Sequence, residues 1–233
     1  PHEMLCELAE LSVLPQDYFS SWVSTLRAND KNREQSIASQ AKQETEFVNP
    51  LNFFQELEEF LEEDSILVAD GGDFVATASY ILKPRKPFSW LDPGVFGTLG
   101  VGAGFSIGAQ LSNPESEVWL IYGDGAAGYS LQEVDTLVRH KLPVIAVIGN
   151  DASWAQIARD QVEVLKSDIA TTLQRSDYQK VFEAFGGKGL LLDHSSNIRD
   201  VLQEARETAR KGIPVCINVL IGKTDFRKGS ISM

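Results

Sequence analysis

Residues 118–128 read Val-Trp-Leu-Ile-Tyr-Gly-Asp-Gly-Ala-Ala-Gly, and this stretch decides both the fold class and the candidate site. Its first five residues form a continuous apolar run of strand length, which is typical of a strand buried on both faces of a parallel sheet. Asp124 follows directly, and the small residues around it let backbone N–H groups approach an anion closely. A Mg²⁺–diphosphate pair suits this combination, because the cation bridges the carboxylate to the phosphate. A turn that uses Asp and Gly for its geometry alone explains the same triplet.

The segments around this stretch alternate between strand and helix patterns. Apolar runs predict strands at 65–69, 118–122, 144–148 and 215–221, and helical spacing predicts helices at 51–61, 74–82, 131–140, 178–185 and 198–211. This alternation predicts an α/β fold, a parallel sheet with helices on both faces. Ligands of such sheets bind beyond the carboxyl ends of the strands, and Asp124 is expected at that edge.

Asn150 is expected at the same edge, at the end of the next strand. The helix predicted between the two strands makes a right-handed crossover, which brings adjacent strand ends close together. Asp124 and Asn150 can then present two hard oxygens to one metal, and Mg²⁺ accepts neutral oxygens as well as carboxylates. The pair is more specific than either residue alone, because 24 residues separate Gly125 from Asn150.

Composition narrows the class of protein. The chain has 233 residues, of which 43% are hydrophobic and 23% charged, as in a globular protein. A formal net charge of −12 argues against nucleic acid as a partner, since such binding needs a basic surface. The two cysteines, Cys6 and Cys216, are too few and too far apart for a disulfide framework or a metal cluster.

Two motifs resemble those of a known family. Gly123-Asp124-Gly125, the 24-residue interval and Asn150 resemble the signature of thiamine-diphosphate-dependent enzymes. Upstream, residues 94–102 (Gly-Val-Phe-Gly-Thr-Leu-Gly-Val-Gly) and 106–109 (Ser-Ile-Gly-Ala) are similar to the glycine-rich segment of the acetolactate synthase branch. The resemblance covers residues 50–222, which would form the C-terminal domain that binds thiamine diphosphate and Mg²⁺.

The resemblance implies how the metal and the diphosphate are held. Asp124 and the side-chain oxygen of Asn150 would bind Mg²⁺, with the backbone oxygen of Ala152 as the third protein ligand. Gly125 and Ala126 would contact the diphosphate through their backbone N–H groups. Gly123, before the acid, belongs to the same cofactor-binding turn.

The resemblance also implies roles at the other end of the cofactor. Gly97 would offer its carbonyl to the 4′-amino group, and Leu99 would be the apolar wedge under the bent cofactor, with Thr98 between them. These two residues would be the catalytic contributions of this chain. Gly72 and Asp73 follow the first predicted strand, where the first diphosphate loop of the family lies.

The activity implied by the resemblance is that of a carbon–carbon lyase in fatty acid α-oxidation, a pathway of lipid metabolism. Such an enzyme cleaves 2-hydroxyacyl-CoA to formyl-CoA and a shortened aldehyde. The alternatives are an acetolactate synthase-type condensation of 2-keto acids and a non-catalytic homologue. The residues after Asn150, Asp-Ala-Ser-Trp, differ from the Asn- and Glu-rich continuation of typical synthases, which argues against acetolactate synthesis.

Three segments are expected along the chain: a linker with the tail of a preceding middle domain (1–49), the cofactor-binding domain (50–222) and a C-terminal tail (223–233). The polar run 29–43 is interpreted as a connector that wraps another domain. The first residue is not Met, so we expect the C-terminal part of a longer polypeptide. The resemblance places the activating glutamate in a pyrimidine-binding domain outside this chain, usually in a second subunit of a homodimer or homotetramer. It also implies an intracellular protein at the endoplasmic reticulum membrane, with any anchor in the N-terminal part.

Four further residues have two possible interpretations. Trp154 follows the predicted metal loop and could line a substrate pocket or pack in the core. Arg159, Lys166 and Arg175 could meet the phosphates of CoA, but a solvated surface is the simpler prediction.

Overall fold

The structure is a computed structural model that describes residues 2–11, 15, 17–194 and 196–228. Contacts divide the chain into two compact units, with the division between Gln40 and Ala41. Residues 41–49 therefore belong to the larger unit, ahead of the boundary predicted at Asn49-Pro50. The assignment of residues 1–49 to a linker and a preceding domain stays a prediction.

The smaller unit contains two helices, α1 (His2–Leu11) and α2 (Ser20–Gln40). Phe19, Trp22, Val23 and Leu26 have the helical spacing that suits α2, whereas α1 was not predicted. Residues 29–40, interpreted only as part of a polar connector, continue α2 without a break. Their Lys, Arg, Gln and Glu residues lose little rotamer freedom in a helix, so an exposed helix can form here without an apolar stripe.

The larger unit is built on a parallel sheet of six strands in the order β2-β1-β3-β4-β6-β5. The strands are β1 (Ile66–Asp70), β2 (Trp90–Leu91), β3 (Val118–Gly123), β4 (Ile145–Asn150), β5 (Lys188–Leu192) and β6 (Val215–Leu220). The four predicted strands are confirmed. Two edge strands escaped prediction, because β2 has only two residues and β5 begins with Lys-Gly rather than with an apolar run.

Helices cover both faces of the sheet, as predicted. They are α3 (Pro50–Phe60), α4 (Asp73–Ala78), α5 (Gly102–Ser112), α6 (Asp124–Ala127), α7 (Glu133–Arg139), α8 (Ala155–Leu165), α9 (Tyr178–Phe185) and α10 (Ile198–Ala209). Neighbouring contacts join α5, α7 and α9 into one layer and α3, α4 and α10 into another. Successive strand residues point to opposite faces, so both layers bury apolar side chains. The five predicted helices are confirmed with small shifts of their ends, whereas α5, α6 and α8 were not predicted.

The start of α3 shows how local sequence determines an element. Asn49 caps the helix, since its Oδ1 accepts the N–H of Leu51 at 2.9 Å, and Pro50 occupies the first turn, where no N–H is needed. Phe53 and Phe54 are fully buried on this helix and pack against Phe74 of α4. The capped helix α3 therefore packs on α4, the helix that begins after β1, within the layer that these two helices form with α10.

Strand register brings the candidate residues to one edge. Asp70 pairs with Tyr122, and Gly123 pairs with Gly149, so β1, β3 and β4 end side by side. Asn150, the last residue of β4, lies directly after that pair. The predicted crossover between these strands is thus confirmed. No helix among the described residues is long and apolar enough to cross a membrane.

Candidate functional site

A cleft opens at the carboxyl edge of the sheet, beyond the ends of β1, β3 and β4. Most of the predicted site residues line it: Gly72, Asp73, Gly97, Leu99, Gly123, Asp124, Gly125 and Ala126. It is completed by Trp154, for which the sequence left two interpretations, and by residues that sequence reasoning did not assign to the site: Gly71, Phe74, Pro93, Gly149, Asp151, Ser153, Ala155, Gln156 and Ile157. Asn150 lies fully buried beneath the cleft, and Thr98 is exposed on the loop beside it. One site therefore collects segments from four separate parts of the chain.

Asp124 is a buried carboxylate with one oxygen left unused. It is only 2% exposed, and its Oδ1 accepts the N–H of Gly125 at 2.8 Å. Its Oδ2 has no hydrogen-bond partner within the described part of the chain. Burial raises the pKa of Asp124 to about 6, and the nearby backbone N–H groups of Gly125, Ala152 and Ser153 act in the opposite direction.

Asn150 has a matching unused oxygen. Its Nδ2 donates to the carbonyl of Ser176 at 3.0 Å and to Oδ1 of Asn218 at 3.2 Å. Its Oδ1 is buried and, among the residues that the structure describes, accepts no hydrogen bond. A buried acceptor without a partner costs free energy, so two of them at neighbouring strand ends indicate a missing partner. A hard divalent cation, which prefers carboxylate and amide oxygens, satisfies both.

Ala152 lies in the loop after Asn150 in a left-handed conformation, with φ of 57°. Its carbonyl oxygen already accepts the N–H of Leu173 at 2.8 Å. A carbonyl has two lone pairs, so a metal ion could share this oxygen, and its role as third ligand stays a prediction. No group of three or more His, Cys, Asp or Glu residues suited to a metal occurs in the described ranges. A metal at this edge would thus depend on the amide and backbone oxygens beside Asp124.

Asp151 adds negative charge to the cleft, and sequence reasoning missed it. Burial and then the charge of Asp124 raise the pKa of Asp151 to about 7. Two acids that both resist ionisation in one cleft favour the binding of a cation there. The sequence feature that could have identified Asp151 is its position directly after Asn150, at the carboxyl edge of the sheet.

At three positions in the cleft, a side chain packs so closely on the backbone that only glycine leaves room for it. A Cβ at Gly71 would lie 2.0 Å from Cδ2 of Leu99, and a Cβ at Gly149 would lie 2.2 Å from the ring of Phe74. A Cβ at Gly125 would lie 2.6 Å from Cζ3 of Trp154. Trp154 therefore lines the cleft and covers the predicted diphosphate turn, and its role in a substrate pocket stays a prediction. Leu99 packs on Gly71 and lines the cleft, and its wedge role stays a prediction.

Asp70 holds the loop that carries Gly97 and Leu99, and it was also missed. It is completely buried at the end of β1, and its carboxylate accepts the N–H groups of Gly100 at 3.0 Å and Gly102 at 2.8 Å. Burial raises the pKa of Asp70, and these two hydrogen bonds oppose that effect. No local pattern predicts this contact, because it spans 30 residues of sequence.

Two of the arginines expected at the surface have specific partners. Arg159 of α8 forms an ion pair with Asp73 of α4 across the side of the cleft, so the prediction of a solvated side chain is wrong for it. The guanidinium of Arg175 donates to the backbone oxygen of Asn150 and lies 4.1 Å from the ring centroid of Phe47. Lys166 is exposed, as predicted. Asp73, which is predicted to contact the diphosphate, therefore lines the cleft as the ion-pair partner of Arg159.

Comparison with protein families gives one match. Residues 70–219 match the model described as "Thiamine pyrophosphate enzyme, C-terminal TPP binding domain". This range includes every residue that lines the cleft, from Gly71 to Ile157.

Curated proteins of known name are similar over nearly the whole chain. The 2-hydroxyacyl-CoA lyase 2 of Danio rerio is 51% identical over 215 residues, 91% of this chain and 35% of the relative. The human protein of the same name is 50% identical over 221 residues, 94% of this chain and 35% of the relative. A probable acetolactate synthase of Mycobacterium bovis is 38% identical over 175 residues, 74% of this chain and 31% of the synthase. The chain thus spans about a third of the length of these relatives.

A solved structure shares the fold. The thiamine diphosphate-dependent 4-hydroxybenzoylformate decarboxylase of Rhodococcus jostii RHA1 superposes with a TM-score of 0.69 at 20% identity. The match covers 78% of this chain and 34% of the decarboxylase. At that identity the likeness supports the fold alone.

Proposed function

This chain belongs to the family of thiamine pyrophosphate enzymes, as their C-terminal TPP binding domain, and on that premise we propose that its protein is a carbon–carbon lyase. The proposed reaction cleaves 2-hydroxyacyl-CoA to formyl-CoA and a shortened aldehyde, as in fatty acid α-oxidation. Over the matched residues, two relatives named 2-hydroxyacyl-CoA lyase 2 are 50–51% identical to this chain, against 38% for the probable acetolactate synthase. The higher identity and the wider coverage favour the lyase over the synthase.

The observation that carries the proposal at the site is the pair of buried oxygens without partners, Oδ2 of Asp124 and Oδ1 of Asn150. Mg²⁺ fits them, since it takes hard oxygen ligands and neutralises the acid charge that Asp124 and Asp151 contribute. Asp124 and Asn150 would hold the metal, with the carbonyl of Ala152 as the candidate third ligand. The metal would in turn bridge this edge of the sheet to a diphosphate.

The diphosphate would be bound by the turn that begins α6. The N–H of Ala126 lies in the first turn of this helix, where backbone N–H groups have no partner within the helix. The N–H of Gly125 donates to Asp124 Oδ1 and would have to turn from that acceptor to reach a phosphate oxygen. The ring of Trp154 packs on Gly125 in this turn.

The loop from Gly97 to Leu99 would shape the reactive end of the site. Thiamine diphosphate, when bound, supplies a nucleophilic carbon and an electron sink for breaking a C–C bond. Leu99 fills the space above Gly71 and would support a bent cofactor from below. Gly97 adopts φ of 56°, a left-handed conformation that glycine reaches without strain, and this sets the direction of the turn that would present its carbonyl.

The partners follow from the same proposal. The proposed substrate is 2-hydroxyacyl-CoA or, for the synthase alternative, a 2-keto acid. The net negative charge of the chain argues against nucleic acid as a partner. A pyrimidine-binding domain, in a second subunit of a homodimer or homotetramer, would supply the activating glutamate. The location at the endoplasmic reticulum membrane stays a prediction from the resemblance.

The decisive experiment compares the two reactions in the full-length protein. Purified enzyme with Mg²⁺ and thiamine diphosphate is given a 2-hydroxyacyl-CoA in one assay and pyruvate in another. We expect release of formyl-CoA and aldehyde in the first and no acetolactate in the second. Acetolactate formation with no formyl-CoA would support the synthase, and no product in either assay would support a non-catalytic homologue.

A further inference from the structure

A chain of three amide side chains runs behind the predicted metal position. Asn150 ends β4, Asn218 lies on the neighbouring strand β6, and Gln179 lies on α9. Asn218 pairs with Ile148 in the sheet, two residues before Asn150, so both asparagines point to the same face. Both are completely buried and Gln179 is 8% exposed, and Ile148 and Cys216 on the same face of the sheet belong to a buried apolar cluster.

The hydrogen bonds along this chain run in one direction. Gln179 donates Nε2 to the carboxylate of Asp177 at 3.3 Å, which leaves its Oε1 to accept Nδ2 of Asn218 at 2.7 Å. Oδ1 of Asn218 then accepts Nδ2 of Asn150 at 3.2 Å. Each amide therefore determines the orientation of the next.

Two groups that can only accept determine the direction of the whole chain. Asp177 is held as a carboxylate by its ion pair with Lys180, at 2.6 Å. The carbonyl of Ser176 accepts Nδ2 of both Asn150 and Asn218, at 3.0 and 3.1 Å. Rotating either amide by 180° would place an oxygen against this carbonyl, so only one orientation keeps all the hydrogen bonds of this chain of amides.

We propose that Asn218, oriented by Gln179, is a positioning residue that holds the amide of Asn150 with Oδ1 towards the metal. The inference rests on the proposed function, because it assumes that a cation binds at Asp124 and Asn150. Without Asn218, only the carbonyl of Ser176 opposes rotation of the Asn150 amide. Asn150 then turns Nδ2 to the metal position more readily and presents a donor where a ligand oxygen is needed. Outer residues that orient metal ligands contribute about 10–100-fold to metal affinity in other proteins.

The test measures Mg²⁺ affinity of the full-length protein in the presence of thiamine diphosphate by calorimetric titration, independently of turnover. Asn218→Leu has a similar volume but no acceptor for Asn150, and we expect its affinity to fall about 10-fold. Gln179→Met removes the acceptor of Asn218 and leaves Asn218 in place, so we expect a smaller fall of about threefold. If Asn218→Leu does not fold, Gln179→Met decides the question.

Gln110→Leu is the matched control. Gln110 is 2% exposed and donates Nε2 to three backbone carbonyls far from the cleft, so its loss also removes a buried amide. We expect this variant to lose stability but to keep its Mg²⁺ affinity within about twofold of the parent. Folded Asn218→Leu with parental affinity, or an equal loss in Gln110→Leu, would overturn the proposal.

Asp124→Ala separates this proposal from the one on which it rests. Loss of Mg²⁺ binding in Asp124→Ala together with unchanged binding in Asn218→Leu would reject the positioning role alone. Unchanged binding in Asp124→Ala would reject the metal site itself and the positioning role with it.

Discussion

The indole ring of Trp154 lies directly on Gly125, so closely that a β-carbon on the glycine would be 2.6 Å from Cζ3. The two residues belong to different strand ends: Gly125 follows β3, and Trp154 precedes α8 after β4. Glycine at 125 is therefore a packing requirement as well as a way to expose N–H groups to an anion. The contact connects the predicted diphosphate turn to the helix that forms the far wall of the cleft.

Gly125→Ala should displace the Trp154 ring and weaken cofactor binding. Overpacking of this kind typically costs about 1–3 kcal/mol, which corresponds to roughly a 5- to 150-fold loss of affinity if it falls on binding. Calorimetric titration with thiamine diphosphate measures the loss, and the fluorescence of the protein reports the movement of the ring. Gly104→Ala is the control, because a Cβ at Gly104 of α5 meets no atom within 4 Å. Equal affinities for the two variants would contradict the packing argument.

Asp124→Ala should abolish Mg²⁺-dependent cofactor binding. The substitution removes the charged ligand and leaves the diphosphate facing Asp151 and Asp73 without a bridging cation. Titration of thiamine diphosphate with and without Mg²⁺ should show that the metal no longer changes the affinity. Asp135→Ala, which removes an exposed acid paired with Arg139, controls for net charge. A variant of Asp124 that keeps the Mg²⁺ effect would reject the metal assignment.

Leu99→Ala should reduce turnover more than cofactor affinity. The truncated side chain no longer fills the space above Gly71, so the bound cofactor is supported less precisely, and small errors of position reduce the rate strongly. Leu99→Met preserves volume and should be nearly silent. The kcat of formyl-CoA release and the cofactor dissociation constant are measured for both variants. An equal loss of turnover in Leu99→Ala and Leu99→Met would contradict the wedge role.

The stabilising effect of Mg²⁺ should grow as pH rises from about 5 to about 7. The pKa of Asp124 is raised to about 6 and that of Asp151 to about 7, so between pH 4 and 7 the folded state binds more protons than the unfolded state. The metal-free protein therefore loses stability as pH rises through this window. Mg²⁺ competes with these protons and restores that loss. Melting temperatures at pH 5 and 7.5, with and without Mg²⁺ and cofactor, measure the effect, which Asp124→Asn should reduce. A Mg²⁺ effect that is independent of pH would contradict the prediction.

Asp70→Asn should loosen the loop that carries Gly97 and Leu99. The amide can still accept one of the two N–H groups that Asp70 now binds, but its own NH₂ then opposes the other. A buried donor without an acceptor costs about 1–3 kcal/mol. Hydrogen exchange of Gly100 and Gly102 should become faster than in the parent, and turnover should fall with it. Unchanged protection of these amides would show that other contacts hold the loop.

The sequence by itself determined the architecture and the centre of the site. Apolar runs of strand length predicted the four inner strands, because a strand buried on both faces has to be apolar throughout. Asp124 and Asn150 could be placed together, because each follows such a run and a right-handed crossover leaves little choice of position. Both motifs are continuous in sequence, which is why the family could also be inferred from them.

The contacts that hold this centre were decided only by the tertiary structure. Asp70 reaches Gly100 across 30 residues, and Asn218 reaches Asn150 across 68. Local periodicity reports whether a residue is buried, but not which side chain it meets. That depends on strand order and register, and β6 lies beside β4 although β5 comes between them in sequence. The orientation of the Asn150 amide follows from those long-range hydrogen bonds, so no stretch of sequence alone specifies it.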